Sequence, residues 1–290
     1  MFLPKRIVEE RLLKILAEDI GQGDVTSALI SPNGMQVEAT VIAREPGVAA
    51  GIEEIRTLME SLGIEVTQTM ADGHRFAKNQ SIMKISGDAR VILSSERTVL
   101  NIISRMSGIA TRTTLIIEKL RRKKLETKVA CTRKTAPGLL YFDKKAVVLG
   151  GGDTHRLHLD DMILIKDNHI KIAGGVKQAI QRAKKGGSFS KKIEVEVTDS
   201  QDALTAASMG VDLIMFDNFP AKTIASAVKK IREGRFPGVL LEASGGITSE
   251  NVLAFASTGV DAVSLGELTS NVRGLNVSLE ITSFDKKHSR

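Results

Sequence analysis

The stretch Leu213-Ile214-Met215-Phe216-Asp217-Asn218 is a short apolar run that ends in polar residues. Five further runs have this form and are separated by intervals long enough for a helix. They are Lys128-Val129-Ala130, Met162-Ile163-Leu164-Ile165, Ile193-Glu194-Val195-Glu196-Val197, Val239-Leu240-Leu241 and Ala262-Val263-Ser264-Leu265. Strands that alternate with helices predict a parallel sheet, and such units close readily into a β/α barrel with its chemistry at the carboxyl ends of the strands. Six predicted strands do not by themselves establish the eight of a full barrel.

The chain before these runs is organised differently. Apolar residues recur at helical spacing from Lys5 to Ile20, and this predicted helix stops at Gly21. Short alternating stretches fill residues 36–90 around a helical segment at 51–62, and a long helix is predicted between Val99 and Leu120. The sequence therefore predicts a mixed α/β domain ahead of the β/α domain.

The composition limits the classes of partner. The 290 residues carry 41 Lys and Arg against 34 Asp and Glu, a formal charge of +7 that attracts anions. With 3% aromatic residues and no Trp, the chain lacks the basic and aromatic interleaving that stacks nucleic-acid bases. The longest basic run, Arg121-Arg122-Lys123-Lys124, is interpreted as the solvated end of a helix. We therefore expect small anionic metabolites as ligands, and no nucleic-acid partner.

The cellular compartment is predicted from what the chain lacks. No apolar run reaches the roughly 18 residues that a membrane helix needs, so no membrane partner is expected. Charged residues begin at Lys5, and no signal peptide is recognised. The single cysteine, Cys131, cannot form an internal disulfide, which favours a reducing cytoplasm. We interpret Cys131 as a small buried strand residue rather than as a nucleophile.

Glycines follow the last two predicted strands, in Ser244-Gly245-Gly246 and at Gly266. In β/α barrels the final two loops often bind a phosphate group through backbone N–H groups and a helix N-terminus. The alternative is that both glycine positions only make tight turns.

Cationic side chains follow other predicted strands and a glycine run at 150–152. They are Arg133, Lys134, His155, Arg156 and Lys166. Such a cluster at one barrel mouth suits a substrate with more than one carboxylate, because arginine binds each carboxylate bidentately. A dicarboxylate is therefore the expected substrate. The alternative is that these are surface cations paired with local acids, as Lys166 with Asp167.

Two acids, Glu196 and Asp217, end successive strands and are expected to face the same mouth. There they would hold sugar hydroxyls or the Mg²⁺ ions that bridge a pyrophosphate. Glu194 and Glu196 point the same way on their strand, and Glu196 is preferred as the inward residue because it lies nearer the carboxyl end. Solvated carboxylates at strand ends are the alternative.

A competing metal site would use histidines and acids from one segment. Its candidates are His155, His158, Asp160, Asp161 and His169. Their spacing matches no strong metal-binding rule. A structural or substrate-binding role is therefore preferred for His155.

Nine motifs occur in order along nearly the whole chain. They are Glu18-Asp19-Ile20-Gly21-Gln22-Gly23-Asp24-Val25-Thr26-Ser27, Glu96-Arg97-Thr98, Ser107-Gly108-Ile109-Ala110-Thr111, Thr132-Arg133-Lys134-Thr135, Gly150-Gly151-Gly152 with His155-Arg156, Ile165-Lys166-Asp167-Asn168-His169-Ile170, Glu194-Val195-Glu196, Phe216-Asp217-Asn218 and Glu242-Ala243-Ser244-Gly245-Gly246-Ile247. Together they resemble the quinolinate phosphoribosyltransferase family, also called nicotinate-nucleotide pyrophosphorylases.

The resemblance implies an α/β type II phosphoribosyltransferase fold. An N-terminal α/β sandwich would span 1–112, joined by 275–290, and an incomplete parallel β/α barrel at 113–274 would hold the active site. The implied reaction joins quinolinate and phosphoribosyl pyrophosphate into nicotinate mononucleotide, pyrophosphate and CO₂, in de novo NAD biosynthesis and with Mg²⁺. A homodimer or an assembly of dimers is also implied, with active sites shared between subunits.

The resemblance further implies the roles of individual residues. The implied substrate-binding residues are Arg97, Thr132, Arg133, Lys134, His155, Arg156, Lys166, Glu196, Asp217, Ser244, Gly245, Gly246, Leu265, Gly266 and Glu267. The implied catalytic residues among them are Lys134, His155, Lys166, Glu196 and Asp217. Glu196 and Asp217 would bind Mg²⁺, partly through the pyrophosphate, and Arg97 would reach in from the partner subunit. Whether Lys134 or His155 assists decarboxylation stays open.

Two positions depart from the family pattern. Cys131 stands where an aspartate is expected, and Glu267 follows Gly266 where alanine is expected. An acid that points into a phosphate loop is electrostatically unfavourable, so Glu267 is expected to turn outward. A related group associated with molybdenum transport shares the fold and the 132–135 motif but lacks Lys-Asp-Asn-His-Ile. It is the main alternative, beside a metabolite-binding barrel without catalysis and a basic nucleic-acid-binding protein.

Overall fold

The computed structural model describes residues 3–234, 236 and 238–284. These residues form two compact units. One comprises residues 3–112, 141–150 and 272–284, and the other comprises the described residues of 113–140 and 151–271. Within the described ranges, no helix combines the length and the apolar character that crossing a bilayer requires.

Helices and strands alternate along most of the described chain. The helices are α1 (Lys5–Ile20), α2 (Val25–Ile30), α3 (Ile52–Ser61), α4 (Ala89–Arg122), α5 (Leu140–Leu149), α6 (Asp167–Ala173), α7 (Val176–Gly186), α8 (Ser200–Ser208), α9 (Ala221–Glu233), α10 (Val252–Ala256) and α11 (Glu267–Ser270). The strands are β1 (Gln36–Ala43), β2 (Gly47–Val48), β3 (Glu65–Thr69), β4 (Arg75–Phe76), β5 (Ser81–Asp88), β6 (Lys128–Cys131), β7 (Ile163–Ile165), β8 (Ile193–Val197), β9 (Leu213–Asp217), β10 (Leu240–Ser244), β11 (Ala262–Leu265) and β12 (Val277–Phe284).

The first unit contains an antiparallel sheet with the strand order β12-β1-β5-β3. Val37, Ala39 and Val41 of β1 are buried, because alternate side chains of a strand face the same side. The late strand β12 pairs with β1 along its length, so this unit is built from distant parts of the chain. Residues 285–290 of the expected 275–290 segment lie outside the described residues.

Helix α4 begins earlier than the apolar pattern predicts, at Ala89 rather than near Val99. At its start the Asp88 carboxylate accepts the Arg90 N–H at 2.8 Å, which satisfies a backbone donor that has no partner within the helix. The Ser94 hydroxyl donates to the Arg90 carbonyl in the same turn, so polar residues there hide the helical periodicity. Arg97, expected near the helix start, therefore lies on its third turn.

The second unit contains the predicted parallel sheet, with the strand order β6-β11-β10-β9-β8-β7. Strands β6 and β7 are its two edges and are not paired with each other in the described chain, so the barrel is incomplete. The predicted fold class is confirmed. Strand β10 continues to Ser244 rather than ending at Leu241, because Glu242 is buried in the barrel interior where the sequence pattern treats a carboxylate as a strand end.

Helix α5 lies within 113–274, the range expected for the barrel, but residues 141–150 belong to the first unit. Its polar contacts explain this. The Lys145 ammonium donates to the Glu54 carboxylate at 2.8 Å, and the Tyr141 hydroxyl donates to the same oxygen at 3.1 Å. Apolar residues predict that a helix is buried but not in which unit, and here distant polar partners decide it.

A buried carboxylate next to this group holds the start of α3. Asp72 accepts the Ile52 N–H at 2.9 Å and lies 3.8 Å from the Lys145 ammonium. Burial raises the pKa of Asp72 from 3.8 to about 6, against the opposing effects of the Ile52 N–H and of Lys145. Ionised Asp72 is therefore less favourable in the folded state than in the unfolded chain.

We expect Asp72→Asn to make stability less dependent on pH in the range from about 4 to 6. Because the folded pKa lies above the unfolded one, the native state binds this proton more tightly and loses stability as pH rises through that window. A shift of about two units corresponds to about 3 kcal/mol. Urea denaturation midpoints across the range measure the effect. Parallel slopes for Asp72→Asn and wild type contradict the prediction.

Candidate active site

The carboxyl ends of the six parallel strands surround a cavity of about 490 Å³ within the second unit. Its lining residues are Cys131, Thr132, Arg133, Lys134, His155, Arg156, Leu164, Lys166, Glu196, Met215, Asp217, Asn218, Glu242, Ser244, Gly245, Gly246 and Ser264. The sheet register explains this convergence, since Glu196 pairs with Met215 and Asp217 pairs with Ser244. Residues far apart in sequence thus meet at one edge of the sheet.

The loop after β10 approaches the end of β9 very closely. Gly245 has φ +86°, and a Cβ atom there would lie 2.4 Å from Asn218 Oδ1 and 2.6 Å from the Asn218 backbone nitrogen. Asn218 itself has the left-handed φ of 58°, and its N–H donates to the Ser244 carbonyl at 2.9 Å. Both the conformation and the space at position 245 therefore require glycine, leaving backbone N–H groups open to an anion.

The loop after β6 presents the cations. Arg133 and Lys134 are exposed, and the Thr269 hydroxyl donates to the Lys134 carbonyl at 2.9 Å, which fixes the backbone there. Arg156 is half-buried; burial lowers its pKa, and the positive charge of Arg133 lowers it further. A guanidinium group whose charge is disfavoured by a neighbouring cation is stabilised by a bound anion. Arg133, Lys134 and Arg156 form what we call the cationic wall of the cavity. This wall therefore suits a ligand with several carboxylates.

Two carboxylates also line the cavity. Glu196 and Asp217 are half-buried, and the Lys166 ammonium is 3.9 Å from Glu196. Burial raises the pKa of Glu196, and the charge of Asp217 raises it further. The Asn218 amide donates to Asp217 at 2.7 Å, which orients that carboxylate. A pair of close acids of this kind favours a bound cation or hydroxyl groups.

His155 lies in the cavity wall and faces two buried acids. Its Nε2 is 3.4 Å from Glu194 Oε1 and 3.3 Å from Glu242 Oε2. Burial lowers the pKa of His155, but the hydrogen bonds to Glu194 and Glu242 outweigh burial and raise the pKa to about 10. The Arg156 N–H donates to Nδ1 at 2.7 Å, a contact that needs an unprotonated Nδ1. The two acids thus favour a protonated, charged ring, whereas the Arg156 N–H favours an unprotonated Nδ1. All of these contacts hold the ring in the same orientation.

The cavity brings together most of the residues proposed from the sequence. Those that line it are Thr132, Arg133, Lys134, His155, Arg156, Lys166, Glu196, Asp217, Ser244, Gly245 and Gly246. Leu265 is buried within β11, and a Cβ at Gly266 would lie 3.4 Å from the Lys134 side chain. Arg97 is not a lining residue; it is exposed on α4 in the first unit.

Glu267 does not line the cavity, but it does not turn to solvent either. It is half-buried, and its carboxylate accepts the Ser249 N–H at 2.8 Å in the loop after β10. A charge-assisted hydrogen bond stabilises the acid there without directing it at the cavity. The expectation of an outward side chain is therefore wrong in detail, because a backbone donor was available beside the loop.

The competing readings of other residues are also tested by the structure. Cys131 is fully buried in β6, with its thiol 3.7 Å from the Thr154 carbonyl, which confirms it as a buried strand residue. The histidines and acids considered from the sequence as one metal site do not all lie together in the structure. His158, Asp160 and Asp161 form an exposed group, whereas His169 accepts the Lys166 N–H through Nδ1.

Sequence reasoning missed the role of Glu194 and Glu242 beneath His155. The sequence favours Glu196 over Glu194 as the inward residue, yet both face the barrel interior, since residues two apart on a strand share a side. The sequence feature that could have indicated this role is a glutamate among apolar strand residues, at 242 and at 194. Such an acid needs a buried partner, and His155 is that partner.

An incomplete parallel barrel with glycine loops, a cationic wall and paired acids at one mouth defines a class of enzymes acting on phosphorylated and carboxylated substrates. Comparison with known proteins narrows the class. The chain matches "Quinolinate phosphoribosyl transferase, N-terminal domain" over residues 24–107 and the C-terminal domain of the same family over 109–280. The protein belongs to the quinolinate phosphoribosyl transferase family.

Individual relatives agree with this assignment. The chain is 43% identical over 277 residues to a probable nicotinate-nucleotide pyrophosphorylase [carboxylating] of Methanocaldococcus jannaschii, covering 94% of this chain and 96% of the relative. It is 34% identical to the human nicotinate-nucleotide pyrophosphorylase [carboxylating], covering 88% and 85%. The solved structure of the Francisella tularensis nicotinate-nucleotide pyrophosphorylase is 36% identical, with a TM-score of 0.88 over 97% and 98% of the two chains.

We expect Gly245→Ala to destabilise the protein more than Gly246→Ala. Both positions have positive φ, which costs a residue with a Cβ about 1–2 kcal/mol, but only the Cβ at 245 would overlap Asn218. The overlap adds about 1–3 kcal/mol. Urea denaturation of both variants measures the difference. Equal losses for the two variants would contradict the close approach as the reason for glycine at 245.

Proposed function

We propose that this protein is a quinolinate phosphoribosyltransferase of NAD biosynthesis. It transfers the phosphoribosyl group of phosphoribosyl pyrophosphate to quinolinate and releases pyrophosphate and CO₂, giving nicotinate mononucleotide. The observation that carries the proposal is one cavity lined by two arginines, a pair of acids and glycine loops. This chemistry matches a dicarboxylate, a ribose and a 5′-phosphate, respectively.

The binding roles follow from the chemistry of each part of the cavity. Arg133, Arg156 and Lys166 would bind the two quinolinate carboxylates, with Thr132 in the same loop. Ser244 and the glycines at 245, 246 and 266 would hold the 5′-phosphate through backbone N–H groups. Leu265 and Glu267 border that loop and would contribute through the backbone.

The first chemical step breaks the bond from the anomeric carbon to pyrophosphate and forms a bond to the pyridine nitrogen. Its transition state resembles an oxocarbenium ion, with positive charge on the sugar and negative charge on the departing pyrophosphate. Glu196 and Asp217 lie where carboxylates would stabilise the sugar charge and orient the hydroxyls. Lys134 and Lys166, exposed at the same mouth, would stabilise the departing anion.

The second step is loss of CO₂ from the carbon next to the ribosylated nitrogen. The cationic nitrogen stabilises the electron pair left on that carbon, so the protein has to orient the substrate and supply a proton. Both ring nitrogens of His155 already contact protein groups, Nε2 two carboxylates and Nδ1 a backbone N–H. This favours Lys134 as the proton donor and gives His155 a binding role.

Mg²⁺ fits the two acids. Oxygen ligands are those that Mg²⁺ prefers, and the pKa of Glu196 is raised partly by the unneutralised charge of Asp217. Glu196 and Asp217 would hold the ion together with the pyrophosphate oxygens. When bound, it would neutralise negative charge on the pyrophosphate.

We further propose a homodimer, or an assembly of dimers, in the cytoplasm, with Arg97 of each subunit contributing to the neighbouring subunit's site. The support is the resemblance together with the place of Arg97, exposed on α4 and absent from the cavity lining of its own chain.

The deciding experiment is quinolinate-dependent release of pyrophosphate from phosphoribosyl pyrophosphate in the presence of Mg²⁺. We expect turnover with quinolinate and very little with nicotinic acid, because the missing carboxylate would leave cations unpaired. Folded protein without turnover would refute the proposal, and retention on DNA at physiological salt would favour a nucleic-acid role instead.

We expect Arg133→Lys to lower kcat/KM for quinolinate at least about tenfold, equal to roughly 1.4 kcal/mol or more of lost bidentate binding. Lysine keeps the charge but not the planar fork. Steady-state kinetics at saturating phosphoribosyl pyrophosphate measure the change. Arg182→Lys, on the outer helix α7, is the matched control; wild-type kinetics in Arg133→Lys would remove Arg133 from the dicarboxylate site.

We expect Arg97→Ala and Arg133→Ala to be inactive separately and to regain activity when mixed under conditions that exchange subunits. In a two-fold dimer about half of the molecules would be mixed, each with one intact and one doubly damaged site, giving about a quarter of wild-type activity. Mass spectrometry confirms the exchange. No recovery in exchanged dimers would mean that Arg97 does not act in the neighbouring site.

A further inference from the structure

The backbone at His155 is held in an uncommon conformation. Its φ of 50° is left-handed, which a residue with a Cβ adopts at a conformational cost. Such a residue persists when surrounding contacts over-determine it, and these positions cluster at functional sites. The next residue is Arg156, whose guanidinium belongs to the cationic wall. The turn at 155 therefore sets the direction in which Arg156 leaves the backbone.

Three local contacts hold this turn. The His155 N–H donates to the Asp153 carboxylate at 2.8 Å, and the Thr154 hydroxyl donates to the His155 carbonyl at 2.8 Å. The third contact runs through the side chain, because the Arg156 N–H donates to Nδ1 of the His155 ring at 2.7 Å. The orientation of the ring is thereby coupled to the backbone of Arg156.

The far side of the ring is held by Glu194 of β8 and Glu242 of β10, at 3.4 and 3.3 Å from Nε2. Their side chains are 0% and 2% exposed. Glu242 Oε1 is buried without a hydrogen-bond partner among the described residues, and both Glu194 oxygens contact Nε2 only at the long distances of 3.2 and 3.4 Å. Two incompletely satisfied acids in a barrel interior are unfavourable for stability, and apolar residues would fill those strand positions better. Their shared contact is the His155 ring.

We propose that Glu194 and Glu242 are positioning residues that act through His155 to hold the Arg156 turn against the quinolinate carboxylates. The inference rests on the proposed function. The acids orient the ring, and the ring fixes the backbone that directs Arg156. Loss of both acids would free the ring, release the contact at Nδ1 and allow the turn at 155 to relax to a right-handed conformation. Arg156 would then leave its place in the wall.

The test uses Glu194→Met and Glu242→Met, which remove the acceptor at similar side-chain length, together with the double variant and His155→Gln in the full-length protein. We expect the double variant to raise KM for quinolinate about tenfold, with much smaller changes in kcat and in KM for phosphoribosyl pyrophosphate, as for lost substrate binding. Each single variant keeps one acid on the ring and should change KM less than about threefold. Glu233→Gln, on the surface of α9, controls for the loss of a negative charge and should match wild type.

Non-additivity separates positioning from a general structural role. If the acids act through the ring, adding both methionine substitutions to His155→Gln should raise KM for quinolinate no further. If the effects of these substitutions on KM for quinolinate multiply, the proposal is wrong. It is also wrong if the double variant keeps the wild-type KM. If the double variant does not fold, each single variant combined with His155→Gln gives the same comparison. Wild-type protein that neither binds quinolinate by calorimetry nor turns it over refutes the proposed function instead, so the two failures are distinguishable.

Discussion

Parallel pairing of the six barrel strands forces the residues that end each strand to one edge of the sheet. The register from β8 through β9 to β10 places Glu196 level with Met215 and Asp217 level with Ser244. No side-chain interaction is needed for these groups to meet, because backbone hydrogen bonds alone set their heights. The cationic wall, the acid pair and the glycine loops all depend on this register, since a slip of one residue would turn each strand-end side chain to the other face.

The cavity holds like charges together at a cost in stability. Arg133 lowers the pKa of Arg156, and Asp217 raises the pKa of Glu196, so each pair is less favourable in its charged form than either group alone. A bound anion would remove the first penalty, and a bound cation would remove the second. Binding specificity and local instability in the unliganded protein thus have the same physical origin, which is common where a site is organised for its ligand.

Sequence patterns located most of the fold. Apolar periodicity gave α1 at its observed bounds and found all six parallel strands, because burial of one side of each element imposes a period on the chain. It failed where polar residues are buried. The pattern misplaces the end of β10 because Glu242 is buried, and the start of α4 because of the serines near Ser94. It also misplaces the unit of α5, where Lys145 is buried. The polar character of each residue predicts that it is exposed, whereas the partner that it meets in the fold decides whether it is buried.

The candidate site was predictable to a similar extent and for a related reason. Groups that follow an apolar run, such as Arg133 and Asp217, could be assigned to the mouth from position alone. Glu194 and Glu242 could not, because their role depends on His155, which enters from a connection that has no periodic pattern. The fit of Glu267 to the Ser249 N–H depends in the same way on a loop conformation that composition does not specify.

The pairing of β12 with β1 has a consequence for biosynthesis. The sheet of the first unit needs a strand at 36–43 and another at 277–284, with the barrel between them in the chain. During translation β1 leaves the ribosome long before its partner exists, and its unpaired edge stays open while the barrel is made. The barrel can complete its own strand pairing first, whereas the unit that begins the chain must be the last to finish.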